Sequence, residues 1–187
     1  MLFVDVRGST TMAEQMSAAD FSRQMRRFYD VTTEVLVDTD AMVDKFVGDE
    51  VMALYFPAFA GSEPAASAVE AAERLLRVTG HGDPGGAWIP VGVGVHTGVA
   101  YFGTVSGVDG TLSEYTALGD NVNITARLAS AAGPGEALIS DSAYAAAHVN
   151  LGPLERRQLE LKGKSEAVGV HVLKLTPPDV EAPTSKS

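Results

Sequence analysis

The chain has no cysteine, so disulfides and thiol chemistry are excluded. No run approaches the roughly 18 apolar residues of a membrane span. Asp5 and Arg7 interrupt the N-terminal apolar run too early for a secretory signal. Basic residues are few: 14 Lys and Arg stand against 24 Asp and Glu, a net charge of −10. That excludes a broad nucleic-acid surface, which needs basic patches. It leaves room for a single nucleotide, whose phosphates metals and a few placed cations can neutralise. No group of residues has zinc-ligand spacing, and no Gly-x-x-x-x-Gly-Lys-[Ser/Thr] phosphate loop is present. There is no internal repeat.

What is present is a globular composition, 45% hydrophobic and 20% charged over 187 residues, which suits one domain. We assign that domain to residues 1–175. Met1 lies only one residue before the first strand, as in a domain cut from a longer protein or one with a bare start. Residues 176–187 are proline-rich and polar, the composition of a disordered tail.

The pattern reads as mixed strands and helices. Residues 2–6 form a strand. Ser17 and Asp20 make a capping pair before a helix over 18–37, with Phe21, Met25, Phe28, Thr32 and Val35 at helical spacing. Residues 41–47 and 50–56 form a hairpin about Gly48-Asp49. A helix runs from Pro64 to Val78 with Val69, Ala72, Leu75 and Leu76 inward. Residues 88–105 read as one long β-rich segment, followed by a strand over 113–118. Asp120 is the expected N-cap of a helix through Ala131. A strand near 136–140, a short helix near 141–147 and strands near 155–161 and 167–174 complete the chain. Without strict βα alternation this is an α+β sandwich.

Two stretches echo each other. Leu2-Phe-Val-Asp-Val-Arg-Gly-Ser-Thr10 and Lys45-Phe-Val-Gly-Asp-Glu-Val-Met-Ala53 each set one aspartate, Asp5 or Asp49, at the edge of an apolar β-prone run. If the strands are neighbours, two carboxylates meet at one end of a sheet, as a pair of divalent metals holding a triphosphate requires. Taken singly, each aspartate is more often a turn residue. Asn123 and Arg127 lie four apart, on one helix face, where they suit a sugar and a phosphate or simply form a solvated stripe. Lys162-Gly-Lys164 is a basic turn or a phosphate contact. Lys45 and Val47 share one strand face and Phe46 takes the other. His96, between Val95 and Thr97 in an apolar run, reads as a packed core histidine.

Taken together and in order, these pieces resemble the catalytic domain of class III nucleotidyl cyclases. The resemblance rests on Phe3-Val-Asp-Val-Arg-Gly-Ser-Thr10, Lys45-Phe-Val-Gly-Asp-Glu50, Gly92-Val-Gly-Val-His-Thr-Gly98, Tyr115-Thr-Ala-Leu-Gly-Asp-Asn-Val-Asn-Ile-Thr-Ala-Arg127 and Leu161-Lys-Gly-Lys164. It implies a ferredoxin-like βαββαβ core with additional strands and helices, pairing head to tail as a homodimer with two interfacial active sites. It implies two Mg²⁺ or Mn²⁺ ions on Asp5, Asp49 and the Val6 backbone carbonyl. Lys45 and Thr116 match base-reading positions, Asn123 the ribose-orienting residue, Arg127 the transition-state residue and Lys162 the terminal-phosphate lysine. Two departures stand out: many relatives carry Asp at the Thr116 position, and no basic residue precedes Glu114-Tyr115 here.

The expected activity is conversion of ATP to 3′,5′-cyclic AMP and pyrophosphate. Adenine presents an acceptor at N1 and a donor at N6; Lys45 has only donors, and a Thr116 hydroxyl can accept. The alternatives are a guanylate or mixed-specificity cyclase, and a catalytically silent nucleotide-binding or dimerisation domain. No Gly-Gly-[Asp/Glu]-Glu-Phe sequence marks a diguanylate-forming domain. The expected location is cytoplasmic, with no membrane contact from this segment, within a parent protein that membrane or sensor modules could anchor.

Overall fold

The computed structural model describes residues 1–106, 113–161 and 166–175. Lys162, its basic turn and the 176–187 tail lie outside the described residues. The first six core elements are β1 (Leu2–Val6), α2 (Ala18–Asp38), β2 (Met42–Val47), β3 (Glu50–Leu54), α4 (Pro64–Val78) and β4 (Val91–Val95), with short helices α1 (Ser9–Gln15) and α3 (Pro57–Ala60) between them. Then follow β5 (Tyr101–Ser106), β6 (Ser113–Leu118), α5 (Asp120–Ala131), β7 (Glu136–Ser140), α6 (Asp141–Ala147), β8 (Glu155–Leu159) and β9 (Val168–Leu173). Seven strands make one sheet in the order β2-β3-β1-β4-β7-β9-β8. The first four of these, antiparallel throughout, are the expected βαββαβ core. β7 joins β4 in parallel, which makes the sheet mixed.

Strand alternation sorts the side chains to two faces. Leu2, Val4 and Val6 face α2 and α4 in the larger core, together with Val51, Val93, Leu75 and Phe28. Phe3, Met52 and Leu54 take the other face, against Ala129 of α5 and Ala117 of β6. The register pairs Asp5 with Glu50 on one side and with Gly92 on the other, so Asp5 projects on the α5 face.

Local signals translate directly into two helices. Ser17 accepts from the Asp20 backbone N–H at 3.1 Å, and α2 buries Met25, Phe28, Thr32 and Val35. The capping pair is not reciprocal: Asp20 accepts the Ser17 hydroxyl instead, at 2.7 Å. α4 spans Pro64–Val78 and buries all four expected residues.

Three expectations need correction. The 88–105 segment is not one β unit: β4 ends at Val95, and β5 leaves the main sheet to pair with β6 as a separate ribbon. The N-cap of α5 is Gly119, at φ 139°, and Asp120 is the first helical residue; that φ favours glycine, which moves the boundary by one. α1 was not anticipated, and its N-cap Gly8 offers no side-chain hydrogen bond to announce it.

The far edge of the sheet is tied by charge. Arg157 of β8 reaches across β9 to Glu136 of β7 with two hydrogen bonds of 2.9 Å, and Lys174 and the Gly133 N–H also bind that carboxylate at 2.9 Å. Arg157 is the main reason that Glu136 is held at about 2, below its ordinary 4.5, against the opposing effect of burial. A carboxylate with a depressed folded value stabilises the fold above its unfolded value and loses that contribution as pH falls through the folded one. We therefore expect urea midpoints to fall between pH 4.5 and 2. Arg157→Ala should be less stable at neutral pH and show a flatter decline over that window. Equal midpoints for the two proteins at pH 7 would remove Arg157 from this account.

Candidate active site

Asp5 is the next-to-last residue of β1, and the Asp49 carbonyl accepts the Val6 N–H at 3.2 Å, which docks the β2–β3 turn that carries Asp49 beside the end of β1. Tyr29 of α2 donates its hydroxyl to the Gly48 carbonyl and so clamps the same turn. Arg7 pairs with Asp5 and donates to the Ser130 carbonyl of α5 at 2.9 Å. It thus links the carboxylate to the helix on that face. Burial and the adjacent Asp49 push the Glu50 carboxyl above its ordinary range, and Arg7 opposes them. Arg7, Tyr29 and Glu50 all help to build this corner, and no spacing rule in the sequence marks them as partners.

These donors fit a hard divalent cation. Asp5 already attracts a cation in Arg7, and its neighbours Asp49 and Glu50 are oxygen donors as well. Mg²⁺ needs only one or two carboxylates, because it keeps several waters and takes further oxygens from substrate phosphates. Asp5, Asp49 and the Val6 carbonyl are the groups that would hold it.

Lys45 and Thr116 also come together, through Asp44. β2 carries a bulge between Val43 and Lys45, leaving Asp44 as the extra residue. A bulge re-aims side chains: Lys45 lies opposite Met52 on the α5 face, and Asp44 turns to the ribbon on that same side. There its Oδ2 accepts the Thr116 hydroxyl at 2.7 Å. Lys45 donates to Glu114 of β6 at 2.5 Å and lies 3.8 Å from Asp44. Phe46 points the other way, edge-on to Tyr29 at 5.2 Å, as strand alternation requires.

Asn123 and Arg127 project from α5, whose Ile124, Thr125, Leu128 and Ala129 are buried. Arg127 makes no hydrogen bond or ion pair among the described residues. The depth of α5 is set by β4: a Cβ on Gly94 would lie 2.4 Å from the Ala129 nitrogen and 2.6 Å from the Thr125 carbonyl oxygen. His96, buried as expected, secures the start of the helix. Its Nε2 lies 3.0 Å from Asn121 Oδ1, and the Asn121 amide nitrogen donates to Val99 at 2.7 Å. That amide orientation makes Nε2 the protonated ring nitrogen, so Nδ1 accepts from Ser140 at 2.8 Å.

Asp5, Lys45, Thr116 and α5 therefore share one side of the sheet. A cleft of about 760 Å³ between α1, α2 and the Gly48-Asp49 turn includes Asp49 but not Lys45, Thr116, Asn123 or Arg127.

Comparison with known proteins agrees with this geometry. Residues 1–174 match the family described as "Adenylate and Guanylate cyclase catalytic domain". The chain is 30% identical over 181 residues to the terminal-differentiation-specific adenylate cyclase of Dictyostelium discoideum; that covers 91% of this chain but only 8% of that protein. Among solved structures it is similar to the adenylyl cyclase CyaB from P. aeruginosa, with 27% identity, a TM-score of 0.78 and 92% of each chain covered. The guanylate cyclase domain of RhGC from Catenaria anguillulae, solved in complex with GTP, shares the fold at a TM-score of 0.79 and 19% identity, covering 94% of this chain and 95% of its own. The family match over residues 1–174 and the βαββαβ core agree, and the chain belongs to the class III adenylate and guanylate cyclase catalytic domain family.

Proposed function

We propose that this domain is an adenylate cyclase, converting ATP to 3′,5′-cyclic AMP and pyrophosphate at sites shared by two copies. The observation that carries the choice of ATP is the junction of Lys45 and Thr116 through Asp44. An ammonium has three donors and no acceptor. Lys45 can keep Glu114 and still donate to adenine N1, whereas guanine presents a donor there. The Thr116 hydroxyl faces N6.

Within such a site each side chain has one task. Asn123 holds the ribose so that its 3′-oxygen lies in line with the α-phosphorus. That oxygen gives up its proton to solvent and forms the new P–O bond as the bond from the α-phosphorus to the bridging oxygen breaks and pyrophosphate departs. Charge grows on the α-phosphoryl oxygens, and Arg127, with no competing partner among the described residues, stabilises it. Lys162 neutralises the terminal phosphates. Bound at Asp5, Asp49 and the Val6 carbonyl, two Mg²⁺ or Mn²⁺ ions would supply Lewis-acid chemistry to the 3′-hydroxyl and the phosphates.

A second copy is supported by exposed apolar side chains on the ribbon: Tyr101 and Leu118, paired across it, are 61% and 48% exposed. Exposed apolar surface of this kind suits an interaction surface. A related guanylyl cyclase domain is described as dimeric. No helix among the described residues is long and apolar enough to cross a membrane.

The test is direct. The purified domain, given Mn²⁺ and either ATP or GTP, should release cyclic AMP and pyrophosphate from ATP and little cyclic product from GTP. Comparable or greater turnover of GTP would replace this reading with a guanylate or mixed-specificity cyclase. No product from either nucleotide, at concentrations where sedimentation shows dimers, would make it a silent binding domain.

A further inference from the structure

The Asp44 side chain is fully buried, at 0% exposure, on an edge strand. Its Oδ1 has no hydrogen-bond partner, while its Oδ2 takes the Thr116 proton at 2.7 Å. A buried carboxylate left half satisfied costs stability, and a bulge in β2 is spent on aiming it. Stability alone gives no reason for that arrangement.

Base selection does. A threonine hydroxyl has one proton and two acceptor lone pairs. Unconstrained, it serves adenine by accepting from the N6 amine, or guanine by donating to O6. Here the Thr116 hydroxyl donates its one proton to Asp44 Oδ2. What Thr116 then offers to a base is a lone pair alone. We infer that Asp44 is a positioning residue for base selection: it locks the Thr116 hydroxyl as an acceptor and so turns a two-way contact into an adenine-selective one. The inference rests on the adenylate reading above and deepens it. Lys45, 3.8 Å from the same Oδ2, offsets the buried charge and sits beside the hydroxyl it complements.

Two substitutions separate this role from a structural one. Asp44→Leu removes the acceptor while keeping the number and branching of side-chain heavy atoms, and Thr116→Val removes the hydroxyl itself. The readouts are the ratio of kcat/KM for ATP over GTP and the relative displacement of a fluorescent ATP analogue by each nucleotide, which needs no turnover. Asp44→Leu should lower the ATP preference roughly tenfold, the worth of one reoriented hydrogen bond, mainly through KM. In a Thr116→Val background, Asp44→Leu should change the ratio no further.

A wild-type preference for GTP in either readout would sink the adenylate reading and this inference with it. A wild-type ATP preference that Asp44→Leu leaves unchanged would sink the Asp44 assignment alone. An undiminished Asp44→Leu effect in the Thr116→Val background would likewise refute it, since the effect could not then pass through Thr116.

Discussion

An equimolar mixture of Asp49→Asn and Arg127→Ala proteins should recover about a quarter of wild-type cyclic AMP formation, because random pairing makes half the dimers mixed and each mixed two-fold dimer holds one intact site. Alone, each variant should be almost inactive. Arg127→Ala should lose kcat by ~10²-fold, the scale of removing one donor from a developing oxyanion, with little change in KM. Asp49→Asn should fail chiefly at limiting Mn²⁺, since it removes a hard oxygen donor. Asp49 is half-buried in a turn whose backbone contacts come from the Asp49 carbonyl and Gly48, so its side chain can change without undocking that turn. Initial rates after co-refolding or subunit exchange make the measurement. No recovery in a mixture shown to contain mixed dimers would mean that Asp49 and Arg127 serve a site within one chain.

The second large effect is expected at a residue with no side chain. Gly94→Val should lower the melting temperature by roughly 10 °C, at ~2–4 °C per kcal/mol for a domain of this size, and abolish cyclase activity. Overpacking that side chains can absorb costs ~1–3 kcal/mol. Here the first atom added would meet backbone, 2.4 Å from the Ala129 nitrogen and 2.6 Å from the Thr125 carbonyl oxygen, so the whole helix must move. α5 carries Asn123 and Arg127, and Arg7 ties its Ser130 to Asp5. Lifting it therefore separates Asn123 and Arg127 from Lys45 and Thr116, which must meet the same nucleotide, and loosens the tie to Asp5. Gly85→Ala, at a loop position with no atom within 4 Å of a new Cβ, is the control and should leave both readouts unchanged. A Gly94→Val protein with wild-type melting and turnover would show that α5 is not seated by that contact.

Much of the fold is written in short-range terms. Ser17 accepts the Asp20 N–H and the apolar residues of α2 recur at helical spacing, so the helix is legible from a score of consecutive residues. Pro64 at the first turn of α4 and the Gly48-Asp49 turn between two alternating strands are equally local. The elements missed lack such marks. Gly8 gives α1 no side-chain cap. The apolar run from 88 to 105 has no visible stop at Val95, although the chain leaves the main sheet there for a ribbon with β6.

For the site, the sequence by itself determined which chemistry is available: carboxylates at Asp5 and Asp49, a donor-only cation at Lys45, a hydroxyl at Thr116, and Asn123 and Arg127 four apart on one helix face. Residue type and local spacing are properties of neighbouring positions, and ordered motifs preserve them. Only the tertiary structure decided how those groups are held. The tie of Arg7 to Ser130, the Tyr29 clamp on Gly48, the seat of α5 against Gly94 and the hydrogen bond from Thr116 to Asp44 join residues far apart in the chain. The bulge that aims Asp44 is a misalignment between two strands. It exists only once they are paired, so no single strand's sequence displays it.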